Sequence, residues 1–145
     1  MKQITLSINS HPDNVELLTE SVRALCGLTI LSSTAMDEVQ IALTEAINNV
    51  IAHSYKLQAN KLIKLIILLE LKKITFTLSD TGCGMEAGLL ETDDIQMKPF
   101  DPNDIVGLPE SGWGLFLIKQ NMDKITYHSE AGTHHLQMIK NFISQ

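Results

Sequence analysis

Cysteine is scarce: Cys26 and Cys83 are the only two in 145 residues, and no C-x-x-C pair occurs. That excludes a disulfide framework and a thiolate metal site, and leaves two reduced thiols of the kind found in a cytoplasmic protein. Basic residues are also few, 11 against 17 acidic ones for a net charge of -6, with no basic run. Nucleic acid is excluded as a partner on that ground, because neutralising phosphates with Lys and Arg supplies most of such affinity. Long apolar runs are missing as well. The longest, Leu62 to Leu71, is interrupted by Lys64 and Glu70 and falls far short of a membrane span. The first ten residues, MKQITLSINS, lack the apolar core and cleavage site of a secretory leader. With 44% hydrophobic and 19% charged residues, the chain has the composition of one folded domain spanning residues 1–145. At this length a chain buries about 70% of its unfolded surface and needs no staple.

What is present begins with alternation. Ile4, Leu6 and Ile8 against Thr5, Ser7 and Asn9 predict a half-buried strand over residues 2–9. Ser10, Pro12 and Asp13 resemble a capping-box helix start, Val15, Leu18, Val22 and Leu25 form a helical stripe, and Gly27 is a plausible stop. A second helix is expected from Thr34 to Tyr55, with Ser32, Ser33 and Thr34 as candidate caps. Its apolar stripe is Val39, Leu43, Ala46 and Val50, widened by Ala42 and Ile47. Beside that stripe Glu45, Asn49 and His53 recur at i, i+4 and i+8, forming a polar row at the edge of the core. From this helix alone, a solvent-facing row is as good a reading as a reactive one.

Strands follow at Leu62–Leu71 and Ile74–Ser79, with Lys72 and Lys73 as the hairpin turn. From Gly82 to Gly112 periodicity vanishes into glycines, prolines and acids (Glu86, Glu91, Asp93, Asp94, Asp101, Asp104, Glu110), with Lys98 the lone base. A stretch of this length within one domain reads as a mobile lid over about residues 86–111. A helix over Gly114–Met122 and strands at Lys124–Ser129 and Thr133–Phe142 close the chain. Grouped strands without regular βαβ alternation predict an α+β fold, a two-layer sandwich with helices on one face of a mixed, largely antiparallel sheet.

Two glycine elements flank the lid. Asp80-Thr81-Gly82-Cys83-Gly84-Met85 follows a strand end, where Gly-x-Gly lets backbone approach a flat ligand and the aspartate offers a fixed acceptor. Taken alone, it reads equally as a glycine-rich exit turn with an Asp cap. Gly112-Trp113-Gly114-Leu115 opens a helix, whose free N–H groups and positive dipole end suit phosphate. It is neither a Walker loop, lacking the Lys-Ser/Thr pair, nor a Rossmann fingerprint, since no strand precedes it.

The ordered combination is more specific than its parts: Glu-x-x-x-Asn on a helix, D-x-G-x-G after a strand, a lid ending in G-x-G, and Gly132-Thr133 opening the last strand. It resembles the GHKL ATPase superfamily with its Bergerat nucleotide fold, and within it the anti-sigma-factor serine kinases of bacterial partner switching. The resemblance runs over nearly the whole chain, and TEAINNVIAHSY is its most diagnostic segment. It implies that Asn49 coordinates Mg2+ bridging the ATP phosphates, and that Glu45 is general base toward a serine hydroxyl. Asp80 would accept from the adenine amino group with Thr133 in support, Gly82, Gly84 and Met85 would lie against the base, and Gly112, Gly114 and Leu115 would donate to phosphates. His53 is similarly positioned in the family, and a structural histidine is an equal reading. Spacing from Glu45 favours Asn49 over Asn48 as the metal ligand.

The activity implied is a Mg-ATP-dependent protein serine kinase. It would phosphorylate a STAS-domain anti-sigma-factor antagonist and bind a sigma factor or similar regulator, as a homodimer. The chain departs from the pattern in its acidic lid and in Trp113, which stands where relatives often carry a base. That departure keeps an alternative open, an ATP-binding regulatory module that controls a partner without phosphorylating it.

Overall fold

The alternation of residues 2–9 produces a strand with one face half-buried, β1 (Lys2–Asn9), and the same logic builds four more: β2 (Leu62–Leu69), β3 (Lys73–Asp80), β4 (Lys124–Glu130) and β5 (Thr133–Asn141). The computed structural model describes residues 1–85 and 113–143, so the expected lid at 86–111 and Gly112 lie outside the described residues. The strands form one sheet in the order β1-β2-β3-β5-β4, and every pairing in it is antiparallel. Three helices cover one face: α1 (Asp13–Cys26), α2 (Ser33–Asn49) and α3 (Trp113–Asn121).

Between the layers Ile63, Leu65, Ile67, Ile74, Phe76 and Leu78 of the sheet meet Val22 of α1, Val39, Leu43 and Ile47 of α2, and Ile118 of α3, all essentially inaccessible. The predicted stripe on the second helix is thus the centre of the core. The other face of the sheet carries Ser and Thr residues, Lys64, Gln137 and a stacked pair, His128 over His135, with centroids 4.9 Å apart. A buried lysine also enters the helical side. Buried Lys140 reaches up from β5 to the Glu38 carboxylate on α2 and donates to the Asn121 carbonyl at the end of α3, 2.8 Å away. A cation at a helix C-terminus satisfies an otherwise free carbonyl and ties both helices to the sheet.

Several local expectations differ from the fold. Ser10 does not cap α1. It is fully buried, with its hydroxyl donating to the Gln58 carbonyl and accepting from Lys61 N–H at 3.1 Å, so it fastens the end of β1 to the approach of β2. His11 Nδ1 accepts the Asp13 N–H instead. Of the three candidate caps of α2, Ser32 serves, its oxygen accepting from Ala35 N–H at 3.1 Å. Lys73 lies in β3, opposite Asn141, rather than in the hairpin turn, and β2 stops at Leu69. The α-helical winding also ends earlier than the apolar stripe predicts. After Asn49 the chain continues as a π turn, Val50–Ser54, with Tyr55 N–H bonded to the Val50 carbonyl at 2.8 Å.

Candidate functional site

That π turn shapes one end of the site. Because its residues advance by less than an α turn would, the polar row set by Glu45 and Asn49 does not extend to a third member: the His53 side chain is exposed, and its carbonyl accepts from Cys83 Sγ at 3.1 Å. What the turn delivers is Ser54. Its hydroxyl donates to Asp80 Oδ1 and accepts the Gly84 N–H at 3.0 Å, while its carbonyl takes the Cys83 N–H at 2.9 Å. A Cβ on Gly82 would overlap the Ser54 carbonyl and hydroxyl, so glycine there is a packing requirement between helix and strand exit. Gly84 has φ +79°, and a Cβ on it would stand 2.8 Å from the His134 ring, so backbone angle and space both demand glycine.

Asp80 ends β3 on the helical face, 5% exposed, with Oδ1 accepting from the Ser54 hydroxyl and from Gly82 N–H at 3.0 Å. Among the described residues no hydrogen bond engages Oδ2, which leaves that oxygen to accept from a ligand. The antiparallel register sets Asp80 opposite His134, and strand alternation assigns Thr133 to the face of Ser79 and His135. Thr133 is therefore not brought beside the carboxylate. Buried Tyr55 completes this end. Its hydroxyl donates to the Leu62 carbonyl and accepts Thr81 N–H at 2.9 Å. Met85 is half-buried, its N–H held by the Tyr127 hydroxyl at 2.9 Å.

The other end joins α2 to the start of α3. Gly114 packs directly on the polar row: a Cβ there would lie 2.9 Å from Asn49 Nδ2 and 3.1 Å from Glu45 Oε2. Glycine lets the first turn of α3 come this close without displacing the end of either side chain. Asn49 is half-buried whereas Asn48 is exposed, so of the two only Asn49 shares a surface with Glu45. Leu115 is buried in the core at 6% exposure, which restricts anything it offers a ligand to its backbone. A groove of about 560 Å3 on α2 is lined by Asp37, Gln40, Ile41, Thr44 and Glu45.

An acceptor at one end, a carboxylate and a carboxamide under a helix N-terminus at the other, form a surface suited to a ligand with a planar hydrogen-bonding head and an anionic tail. Sequence reasoning missed Ser54, Tyr55, Tyr127 and His134. Ser54 and Tyr55 lie within TEAINNVIAHSY, but their roles depend on a π turn that no periodicity announces, and the other two act through register.

The family model for the histidine kinase-like ATPase domain matches residues 8–140. A serine-protein kinase RsbW of Staphylococcus aureus is 33% identical over 99 residues, 67% of this chain and 60% of that protein. The serine-protein kinase RsbW of Listeria monocytogenes is 28% identical over 131 residues, covering 90% of this chain and 82% of its own length. The chain thus spans about 60% of the length of the staphylococcal relatives it matches. In three dimensions, 97% of the chain superposes on 32% of a crystal structure of the RsbU and RsbW domains of Rv1364c from Mycobacterium tuberculosis, with a TM-score of 0.66 at 11% identity. That likeness is one of fold.

Proposed function

The chain belongs to the histidine kinase-like ATPase family, and from that premise we propose that it is an ATP-dependent protein serine kinase working as an anti-sigma-factor-type switch, in a single domain over residues 1–145. The observation that carries this reading is the contact of Gly114 with both Glu45 and Asn49. A nucleotide-binding module needs an amide and helix N–H groups near its phosphates. A carboxylate in the same contact, on a residue that also lines an open groove, adds a base where a hydroxyl can arrive.

In this mechanism Asp80 Oδ2 accepts from the adenine amino group, while Ser54 and Gly82 hold Oδ1 and so fix the carboxylate plane. Gly82, Gly84 and Met85 lie along the base, and the backbone N–H groups at the start of α3 meet the phosphates. Glu45 takes the proton of the serine hydroxyl as its oxygen attacks the γ-phosphorus, and the ADP oxygen leaves. Asn49 is the residue that would hold Mg2+. Its carboxamide oxygen, next to a carboxylate, is a hard donor suited to an ion otherwise ligated by phosphates and water, and the described residues contain no cluster of three or more His, Cys, Asp or Glu for an all-protein metal cage. When bound, that ion supplies charge neutralisation between the phosphates. His53 is kept as an outer contact of the nucleotide, its exposure limiting it to a solvent-side role, and Thr133, on the opposite face of the sheet from Asp80, is left without a direct contact to the base.

The substrate proposed is a serine of a STAS-domain antagonist, with a sigma factor or similar regulator as the alternating partner, a homodimer as the assembly and the cytoplasm as the location. No helix among the described residues is long and apolar enough to cross a membrane. Incubating the protein with Mg-ATP and a STAS-domain substrate should add one phosphate to a substrate serine by intact mass. ATP binding without any mass gain would sink the kinase reading. The second reading, a module that uses ATP only to set partner affinity, draws on the lack of any hydrogen bond orienting Glu45 among the described residues. It requires Glu45→Ala to leave ATP-driven partner release intact, whereas a kinase loses it.

A further inference from the structure

The hydrogen bonds around Gly82 form a chain that begins outside the nucleotide motifs. Gly82 N–H donates to Asp80 Oδ1 at 3.0 Å, and Gly82 C=O lies 2.8 Å from His134 Nε2. A carbonyl can only accept, so Nε2 carries the proton and donates. The other ring nitrogen, Nδ1, lies 2.6 Å from the Ser129 hydroxyl, which donates to it and fixes that tautomer. The imidazole stacks on Tyr127 with an interplanar angle of 8°, and Tyr127 in turn holds Met85 N–H. The ring also fills the space a Gly84 side chain would need. The β4–β5 hairpin therefore grips the segment from Gly82 to Met85 at both ends, one residue away from the carboxylate.

We propose that His134, oriented by Ser129, is a positioning residue for base recognition, acting through the Gly82–Cys83 peptide, whose carbonyl it holds and whose N–H bonds to the Ser54 carbonyl, to fix Asp80 against the C6 substituent of a purine. This rests on the reading of Asp80 as the adenine contact. A histidine suits the position because Nε2 reaches the carbonyl while Nδ1 is anchored, so one rigid ring spans hairpin and loop. Its effect is on discrimination: a tilted Gly82–Cys83 peptide loosens the Ser54 carbonyl and strains the Gly82 N–H bond across the shared Cα, which frees the Asp80 carboxylate to rotate and costs most for a base with a C6 amino donor.

The test is equilibrium binding of ATP and ITP to the full chain, since ITP carries a carbonyl in place of that amino group. His134→Leu should weaken ATP about tenfold, the size of a lost hydrogen bond, and cut the ATP-over-ITP preference at least threefold. His134→Gln, whose terminal amide can take the place of Nε2, should restore both to within about twofold, whereas His134→Asn, which mimics only Nδ1, should not. Ser129→Ala, a change on the exposed hairpin that spares the core, should give an intermediate loss of preference. Equal weakening by Leu, Gln and Asn with an unchanged preference would reduce His134 to packing and overturn the proposal, as would wild-type preference in all three. Asp80→Asn separates the premise: a variant that keeps the wild-type preference overturns the adenine reading itself, whereas loss there with none at His134 removes only the positioning role.

Discussion

The two ends of the site are held in different ways. At the base end Ser54, Asp80, Gly82, Gly84 and His134 are locked by hydrogen bonds between the π turn, β3 and β5. At the phosphate end Glu45, Asn49 and Gly114 meet by contact alone, and among the described residues no hydrogen bond restrains either side chain. A locked acceptor can read one base and reject another, because misfit cannot be relieved by rotation. Groups that meet by contact alone reach their working geometry once a bound nucleotide and substrate hold them.

The contrast predicts that chemistry and binding separate. Glu45→Gln should lower phosphoryl transfer by about 100- to 10,000-fold, the usual worth of a general base, with ATP affinity within about threefold of wild type in calorimetry. If ATP affinity collapses along with transfer, the ends are not independent. Asp80→Asn or Ser54→Ala should weaken ATP about 10- to 100-fold, as expected for a disrupted charged hydrogen-bond set, and do so in the absence of any protein substrate.

Two glycines sharpen the same comparison. Alanine at Gly84 should destabilise the fold by about 1–3 kcal/mol in thermal unfolding, because a positive φ and the His134 ring oppose it together. Alanine at Gly114 meets only the free ends of Asn49 and Glu45 and is about 1 kcal/mol better in a helix. Melting temperature should hold or rise while transfer drops about tenfold. The smallest effect concerns the thiols. Exposed Cys83, in the base loop, should be alkylated at neutral pH and protected by ATP, while buried Cys26 stays silent, as mass spectrometry of the peptides would show. Burial pushes the Cys26 thiol from 9.0 up to about 11, with nearby Arg23 opposing weakly. The folded form thus keeps its proton where the unfolded chain loses it, so stability should decline as pH climbs from 9 toward 11, and Cys26→Ser should flatten that slope.

The layers, the helical face of α2 and the pairing of Glu45 with Asn49 were legible because each follows from a period, 2 for strands and 3.6 for helices. Asp80 and its glycines could be read from residue type at a strand end. Where the sequence misled, a longer-range bond prevailed over a local signal. Ser10 has the look of a cap, yet a buried hydroxyl between β1 and β2 satisfies two backbone groups there. His53 fits the α period, but five residues wound as a π turn shift the chain and substitute Ser54. His134 carries no motif, and its importance comes from lying opposite Asp80 in a register fixed across 54 positions of sequence, the difference between 134 and 80.

The strand order also has a consequence in time. β2 and β3 pair across a three-residue turn, residues 70–72, whereas β5 reaches β3 only across the 52 residues from 81 to 132. Closing a longer loop costs more entropy, so the β2–β3 hairpin should form before β5 pairs with β3. Pulse-labelled hydrogen exchange during refolding should protect β2 amides before those of β5. On that schedule Asp80 is placed early at the end of the hairpin, and His134 reaches it late. The ability to bind nucleotide would then report that the final docking step is complete.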